Sequence, residues 1–243
     1  RMNRFFIKHK LSIGDVTHLS DSDSEFVINN LKLKPENFIE VETYESIFLG
    51  VITDTEKSSV EVEIINKIED KKSKNTFDVT VVQSLIGRER MNLVVEKTVE
   101  IGIDRIIPVE SQYSNIKRNK AIKEYGLWKK IIEDAIEQSR NIKPTIIEKP
   151  IKLEDLKIDN HVNKICLSTE NTDSISLREY LKGINIKRPI LFAVGPEKGW
   201  GSKDIEFFKE NNFKFIKLEG NILRSESTGL VVGSIIEYLK GNI

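Results

Sequence analysis

Residues 189–201 read PILFAVGPEKGWG. Six positions, Pro189 to Val194, run without a polar break and stop at a turn containing three glycines and a proline. A short continuous apolar run closed by such a turn is the pattern of a strand buried on both faces. A parallel sheet gets that double cover from crossover helices. The flanking sequence supplies them. Ser202 to Asn211 reads as a helix capped by Ser202, Phe213 to Leu218 as a strand and Thr228 to Lys240 as a final helix. Upstream, Val79 to Val82, Arg105 to Val109, Thr145 to Ile147 and Lys164 to Leu167 read as strands. Helices are expected at Met91 to Gly102, where Gly102 is the stop, at Leu127 to Ser139 and at Ser176 to Leu181. The second presents Leu127, Ile131, Ile132, Ala135 and Ile136 on one side. From residue 76 onward, the strand–helix alternation predicts an α/β domain with a parallel sheet.

The first 70 residues have a different texture. Arg4 to Ile7, Asp15 to Leu19, Phe38 to Thr43, Ser46 to Thr53 and Val60 to Ile65 are short runs rich in Val, Ile and Phe. One short helix is expected after Ser20-Asp21-Ser22-Asp23, stopped by Pro35. Several strands with one helix suggest a small β-barrel. Lys71-Lys72-Ser73-Lys74-Asn75 carries no apolar residue and reads either as the boundary between two domains or as a hairpin loop within one.

Composition narrows the function. The chain has 243 residues, 39% hydrophobic and 31% charged, which is enough apolar material for a packed core. A single cysteine, Cys166, excludes an intramolecular disulfide and a cysteine-rich zinc cluster. No apolar run approaches the ~20 residues that span a bilayer, and no secretory signal pattern is visible, so the expected setting is the cytoplasm. The formal net charge is zero but unevenly spread: −6 over residues 1–70, +5 over 71–150 and +1 over 151–243. The middle of the chain is where a polyanion would be received, unless those cations simply solvate helix faces.

In an open parallel sheet, ligands gather at the carboxyl ends of strands. Three such ends invite inspection: Leu167-Ser168-Thr169-Glu170, Val194 to Gly201, and Leu218 to Glu226. The second has the spacing G-x-x-x-G-x-G, which is neither a dinucleotide fingerprint nor a phosphate loop. By itself it reads equally as a tight turn into a capped helix. The third places the apolar pair Ile222-Leu223 inside a connection and follows it with Arg224, Ser225 and Glu226 at a helix start. Glu226 suits the helix dipole there, and an Arg224–Glu226 pair could simply fix the turn. His9, His18 and His161 lack metal-ligand spacing, and no nucleophilic triad is visible. Cys166, mid-strand, reads as a small core residue. No metal is expected.

LFAVGPEKG at Leu191–Gly199 and LEGNILRSEST at Leu218–Thr228 resemble the two carboxyl-terminal cofactor loops of the RsmE family, the 16S rRNA uracil-N3 methyltransferases of the SPOUT superfamily. Those loops typically read IGPEGGF and LG-x-RILR-[TS]-ET-A. RMNLVVEKTVEIGIDRIIPV at Arg90–Val109 is similar to the family's KM-[DE]-x-I-[VI]-QKATELG-V-x-x-I-x-P, and EQSR at Glu137–Arg140 to its EQSGR. The opening MNRFFI and LKLKPEN at Leu31–Asn37 resemble the family's RFF and LRLKPGD. The similarity spans nearly the whole chain in order. Lys198, Trp200, Glu219, Asn221 and Ser225 depart from the family pattern, and none removes an evident catalytic group.

The resemblance implies a PUA-like, RNA-binding β-barrel over residues 2–70 and a SPOUT α/β methyltransferase domain with a trefoil knot over 76–243. It implies S-adenosylmethionine as cofactor, 16S rRNA of the small ribosomal subunit as substrate, and a homodimer. It carries Leu167, Thr169, Gly195, Pro196, Glu197, Gly199, Leu218, Gly220, Ile222 and Leu223 over as cofactor-binding residues. Arg224 and Glu226 become the catalytic pair. The basic residues expected on RNA are Arg88, Arg90, Lys97, Lys117, Arg118, Lys120 and Arg140. Two alternatives stay open: a SPOUT methyltransferase with another RNA target, and a catalytically silent RNA-binding SPOUT protein.

Overall fold

A computed structural model describes residues 2–70, 77–138, 144–160, 162–169 and 173–243. The chain divides into two compact units between residues 75 and 76. The expected boundary stretch 71–75, His161, Arg140 and Glu170 lie outside the described residues.

In the amino-terminal unit, β1 (Arg4–Phe6), β2 (Val16–His18), β3 (Phe38–Glu42), β4 (Ser46–Asp54) and β5 (Glu61–Asp70) form one sheet in the order β1-β3-β4-β5-β2. Register shifts along the β4–β5 pair coil it. The sheet is open: among the described residues no pairing joins β1 to β2, so it forms a half-barrel where the sequence suggested a closed one. Helix α1 (Asp21–Glu25) starts where expected, because the Ser20 hydroxyl accepts the Asp23 N–H at 3.2 Å, and it continues as a π-helical turn over Phe26–Asn30. Val27 from that turn joins Ile39, Val41, Phe48, Ile52, Val62 and Ile64 in the unit's core.

The carboxyl-terminal unit is built on a parallel sheet. Its strands are β6 (Val79–Ser84), β7 (Arg105–Glu110), β8 (Ile146–Ile147), β9 (Ile151–Lys152), β10 (Asn163–Leu167), β11 (Ile175–Ser176), β12 (Ile190–Val194) and β13 (Lys214–Lys217). The order is β11-β13-β10-β12-β6-β7-β8, with β9 also pairing β7. Every residue of β6 and of β12 is buried, as the unbroken apolar run predicts. The helices are α2 (Arg88–Glu100), α3 (Arg118–Ala121), α4 (Tyr125–Gln138), α5 (Leu177–Gly183), α6 (Ser202–Glu210) and α7 (Ser225–Leu239).

Two helix readings are corrected. In α4 the buried side is Trp128, Ile132 and Ile136, while Leu127, Ile131 and Ala135 are only half-buried. Trp128 wins the core position because its indole N–H also reaches Asn92 Oδ1, at 3.2 Å. Helix α6 is not capped by Ser202, which is its first helical residue. Gly201 is the N-cap, and the Asp204 carboxylate accepts the Gly201 N–H at 2.8 Å.

Candidate functional site

Strands β13, β10 and β12 are consecutive in the sheet, so their carboxyl ends open side by side. The segments leaving them, 167–169, 194–200 and 216–225, line a cavity of about 1120 Å³. All ten residues expected to bind cofactor contribute to its wall: Leu167, Thr169, Gly195, Pro196, Glu197, Gly199, Leu218, Gly220, Ile222 and Leu223. Arg224 joins them at the rim, with Ser168, Lys209 and Lys217 as lining the sequence reading did not single out. The volume is ample for a drug-sized ligand.

The 195–201 turn is held from beneath. Trp200 is buried, and its indole N–H donates to the Leu167 carbonyl at 2.9 Å, tying the β12 turn to the end of β10. Its ring also packs edge-on to Phe208, with centroids 4.8 Å apart. A Cβ on Gly195 would lie 3.2 Å from the Trp200 ring, tighter than ordinary contact, so any side chain there would press on the indole. Asp204 anchors the far end by accepting N–H bonds from Gly201 and Gln112. Burial raises its pKa above the ordinary carboxylate value, against the lowering effect of those two bonds. The Ser225 hydroxyl donates to the Gly195 carbonyl at 2.7 Å, which fastens the start of α7 to the same turn. A tryptophan inside a glycine-rich turn was the available signal for this floor. The Ser225 link had none.

The 218–224 segment is built differently. Glu219 to Ile222 are all exposed, and Ile222 is 89% exposed despite its size. Gly220 turns the chain at φ +109°, a conformation costly for any residue with a Cβ. Arg224 is the N-cap of α7, and its carbonyl accepts from the Ser227 and Thr228 N–H groups, so its backbone is fixed. Its side chain, 80% exposed, extends to the rim. Glu226 is 12% exposed and sits 4.0 Å from Arg224, with one carboxylate oxygen buried and without a hydrogen-bond partner.

The basic residues separate. Arg88 pairs with Glu124 at 3.2 Å, and the Asn115 N–H donates to the Leu85 carbonyl, so the segments carrying Arg88, Lys117, Arg118 and Lys120 are neighbours. Lys97 lies nine residues along α2 from Arg88, roughly 13 Å away along the axis, and pairs with Glu100 at 2.9 Å. Arg90, itself only 27% exposed, turns its guanidinium to Glu197, a half-exposed carboxylate of the cavity wall. Cys166 is buried, and burial pushes its thiol well up, with the Asp204 charge adding to the shift. That is the opposite of an activated nucleophile. Among the described residues there is no cluster of three His, Cys, Asp or Glu that could hold a metal, and no helix is long and apolar enough to cross a membrane.

A parallel α/β sheet with a cavity over three adjacent strand ends, floored by a glycine turn, is the architecture of a small-ligand-binding α/β protein. Residues 72–237 match a family described as the RNA methyltransferase domain. The chain is 27% identical over 243 residues to the ribosomal RNA small subunit methyltransferase E of Rickettsia conorii, covering 98% of this chain and 96% of that one. It is 28% identical over 197 residues to the protein of the same name from Aquifex aeolicus, covering 78% and 80%. A crystal structure of the Neisseria gonorrhoeae ribosomal RNA small subunit methyltransferase E bound to S-adenosyl methionine superposes with a TM-score of 0.72 at 26% identity, covering 98% of each chain. The chain belongs to the RNA methyltransferase domain family and, within it, to the RsmE group.

Proposed function

We propose that this protein transfers a methyl group from S-adenosylmethionine to N3 of a uridine in 16S rRNA of the small ribosomal subunit. The observation that carries the reading is the convergence of Gly195–Gly199 and Leu218–Leu223 on one cavity, with Arg224 at its rim. The cavity's walls suit the cofactor. Backbone groups lie open at Gly199 and Gly220, where a Cβ would meet nothing within 4 Å. Ile222, too exposed to be satisfied in water, offers with Leu223 an apolar cover for a planar ring. S-adenosylmethionine, when bound, supplies an electrophilic methyl group.

The chain's own residues would do the rest. Uracil N3 carries a proton and is a poor nucleophile until its imide anion is stabilised. Arg224, reaching beyond the rim, places a permanent positive charge where O2 or O4 of the base develops negative charge. Glu226 orients that guanidinium rather than acting as the base; the N3 proton would pass to water, and the S–CH3 bond would break as the N–CH3 bond forms, with S-adenosylhomocysteine leaving. The cavity lies inside the Arg224 rim, so the target base would have to leave its stack to enter it.

Arg88, Lys117, Arg118 and Lys120 lie on neighbouring segments and would receive phosphates, with Lys97 as a separate contact further along α2. Residues 2–70 would serve as a PUA-like RNA-binding domain, and residues 76–243 as the SPOUT domain with its trefoil knot. Val231, Ile235, Tyr238 and Leu239 leave an apolar face of α7 exposed, which supports a homodimer through that helix. The test is incorporation of tritiated methyl from labelled S-adenosylmethionine into small subunits lacking the modification. Label in 16S rRNA supports the reading; cofactor binding with no label in any RNA points instead to a silent RNA-binding protein.

A further inference from the structure

The residue that joins the two sides of the cavity is one the sequence places on RNA. Arg90 sits in the first turn of α2, where the helix dipole disfavours a cation. Its guanidinium folds back over the helix start, with Nη2 3.6 Å from where a Cβ on Gly87 would be. Two carboxylates from outside α2 compensate the charge. One is Glu197, in the turn after β12, which is hydrogen-bonded to Arg90 Nη1. The other is Glu226, in the first turn of α7, whose Oε2 lies 3.8 Å from the same nitrogen. That Oε2 is the buried oxygen with no hydrogen-bond partner, so Arg90 is the cation that answers its charge. The other oxygen, Oε1, is left 4.0 Å from Arg224. The order is therefore acid, base, acid, base: Glu197, Arg90, Glu226, Arg224. Arg90 and Glu226 are the sheltered middle of the series, between the more exposed Glu197 and Arg224.

We infer that Arg90 is a positioning residue for the transfer rather than a phosphate contact: it clasps the β12 turn to the start of α7 and holds Glu226 so that Glu226 aims Arg224. The inference rests on the proposed methyl transfer for its kinetic consequence, but the clasp itself does not. A guanidinium that contacts a phosphate contributes to substrate binding and to its salt dependence. A guanidinium that aims another residue contributes to the transition state and leaves both unchanged.

Two measurements on Arg90→Ala and Arg90→Lys separate these roles. The first is hydrogen exchange on the protein alone. Residues 195–199 and 224–228 should lose protection together, by about ten-fold, in Arg90→Ala, with Arg90→Lys intermediate. Unchanged exchange in both segments overturns the clasp, whatever the enzyme acts on. The second is methylation of small subunits. Arg90→Ala should lower kcat by about ten-fold or more with KM for the subunit within about two-fold, and the slope of log KM against log salt should match the wild type. Intact kcat with raised KM and a slope shallower by about one would show a phosphate contact and overturn the inference. If Arg90→Ala does not fold, Glu197→Gln opens the clasp from the other side and should give the same paired loss of protection. A wild-type protein that methylates no RNA defeats the proposed function, while the exchange result still decides the clasp.

Discussion

The two loops that meet over the cavity are opposites. The 195–201 turn is anchored at each step: Trp200 beneath Gly195, its N–H on the Leu167 carbonyl, Asp204 on the Gly201 N–H, Ser225 on the Gly195 carbonyl. The 219–222 stretch is exposed throughout and ends in an isoleucine with no apolar cover. One side is fixed by the protein's own contacts, and the other is open to solvent. Substitutions in the first should therefore cost folding stability as well as binding, while substitutions in the second should cost binding or turnover alone.

The largest effect is expected at the end of the exposed stretch. Arg224→Ala should reduce single-turnover methyl transfer by ~100-fold or more, the scale of losing one charge-stabilising donor. Calorimetry with S-adenosylmethionine should give an affinity within about two-fold of wild type. Loss of affinity with an unchanged transfer rate would assign Arg224 to the cofactor instead.

Gly195→Val strikes the fixed side. The new side chain must displace the Trp200 indole, a small-to-large change that costs about 1–3 kcal/mol. Cofactor binding should fall below detection by calorimetry, and a urea melt should show the lowered midpoint. Wild-type affinity in a stably folded variant would remove this turn from the site.

Trp200→Phe is gentler. It keeps an aromatic ring against Phe208 but leaves the Leu167 carbonyl without its indole donor, about 1–2 kcal/mol of stability by urea melt. A variant as stable as the wild type would mean the Leu167 carbonyl finds another donor.

Ile222→Ser should be the smallest change and the sharpest contrast. At 89% exposure it should leave the melt unchanged and weaken S-adenosylmethionine about three- to ten-fold. A destabilised variant would show that the stretch is packed in solution, and the contrast between the loops would fail.

Much of this was legible in the sequence because burial writes itself into residue type. Pro189–Val194 had to be a doubly covered strand, and β12 is buried at every position. The grouping of the proposed cofactor residues was legible only as motif: spacing alone left the glycine turn as an ordinary turn, and the resemblance pointed to the segments that line the cavity. Side-chain direction was not legible. Arg90 carries the same charge whether it faces solvent or Glu197, and nothing in RERM distinguishes the two. Trp128 displaced Leu127 and Ile131 from the core by pairing with Asn92, a partner 36 residues away. Closure of the amino-terminal sheet depends on whether its two outermost strands meet, which strand composition does not encode.

The most direct test of the account is the chemical identity of the product. Purified protein and S-adenosylmethionine would be added to small ribosomal subunits lacking the modification, and the digested nucleosides analysed by mass spectrometry. The account predicts N3-methyluridine from 16S rRNA, absent with Arg224→Ala. A methyl group on another base or on a ribose oxygen would contradict it.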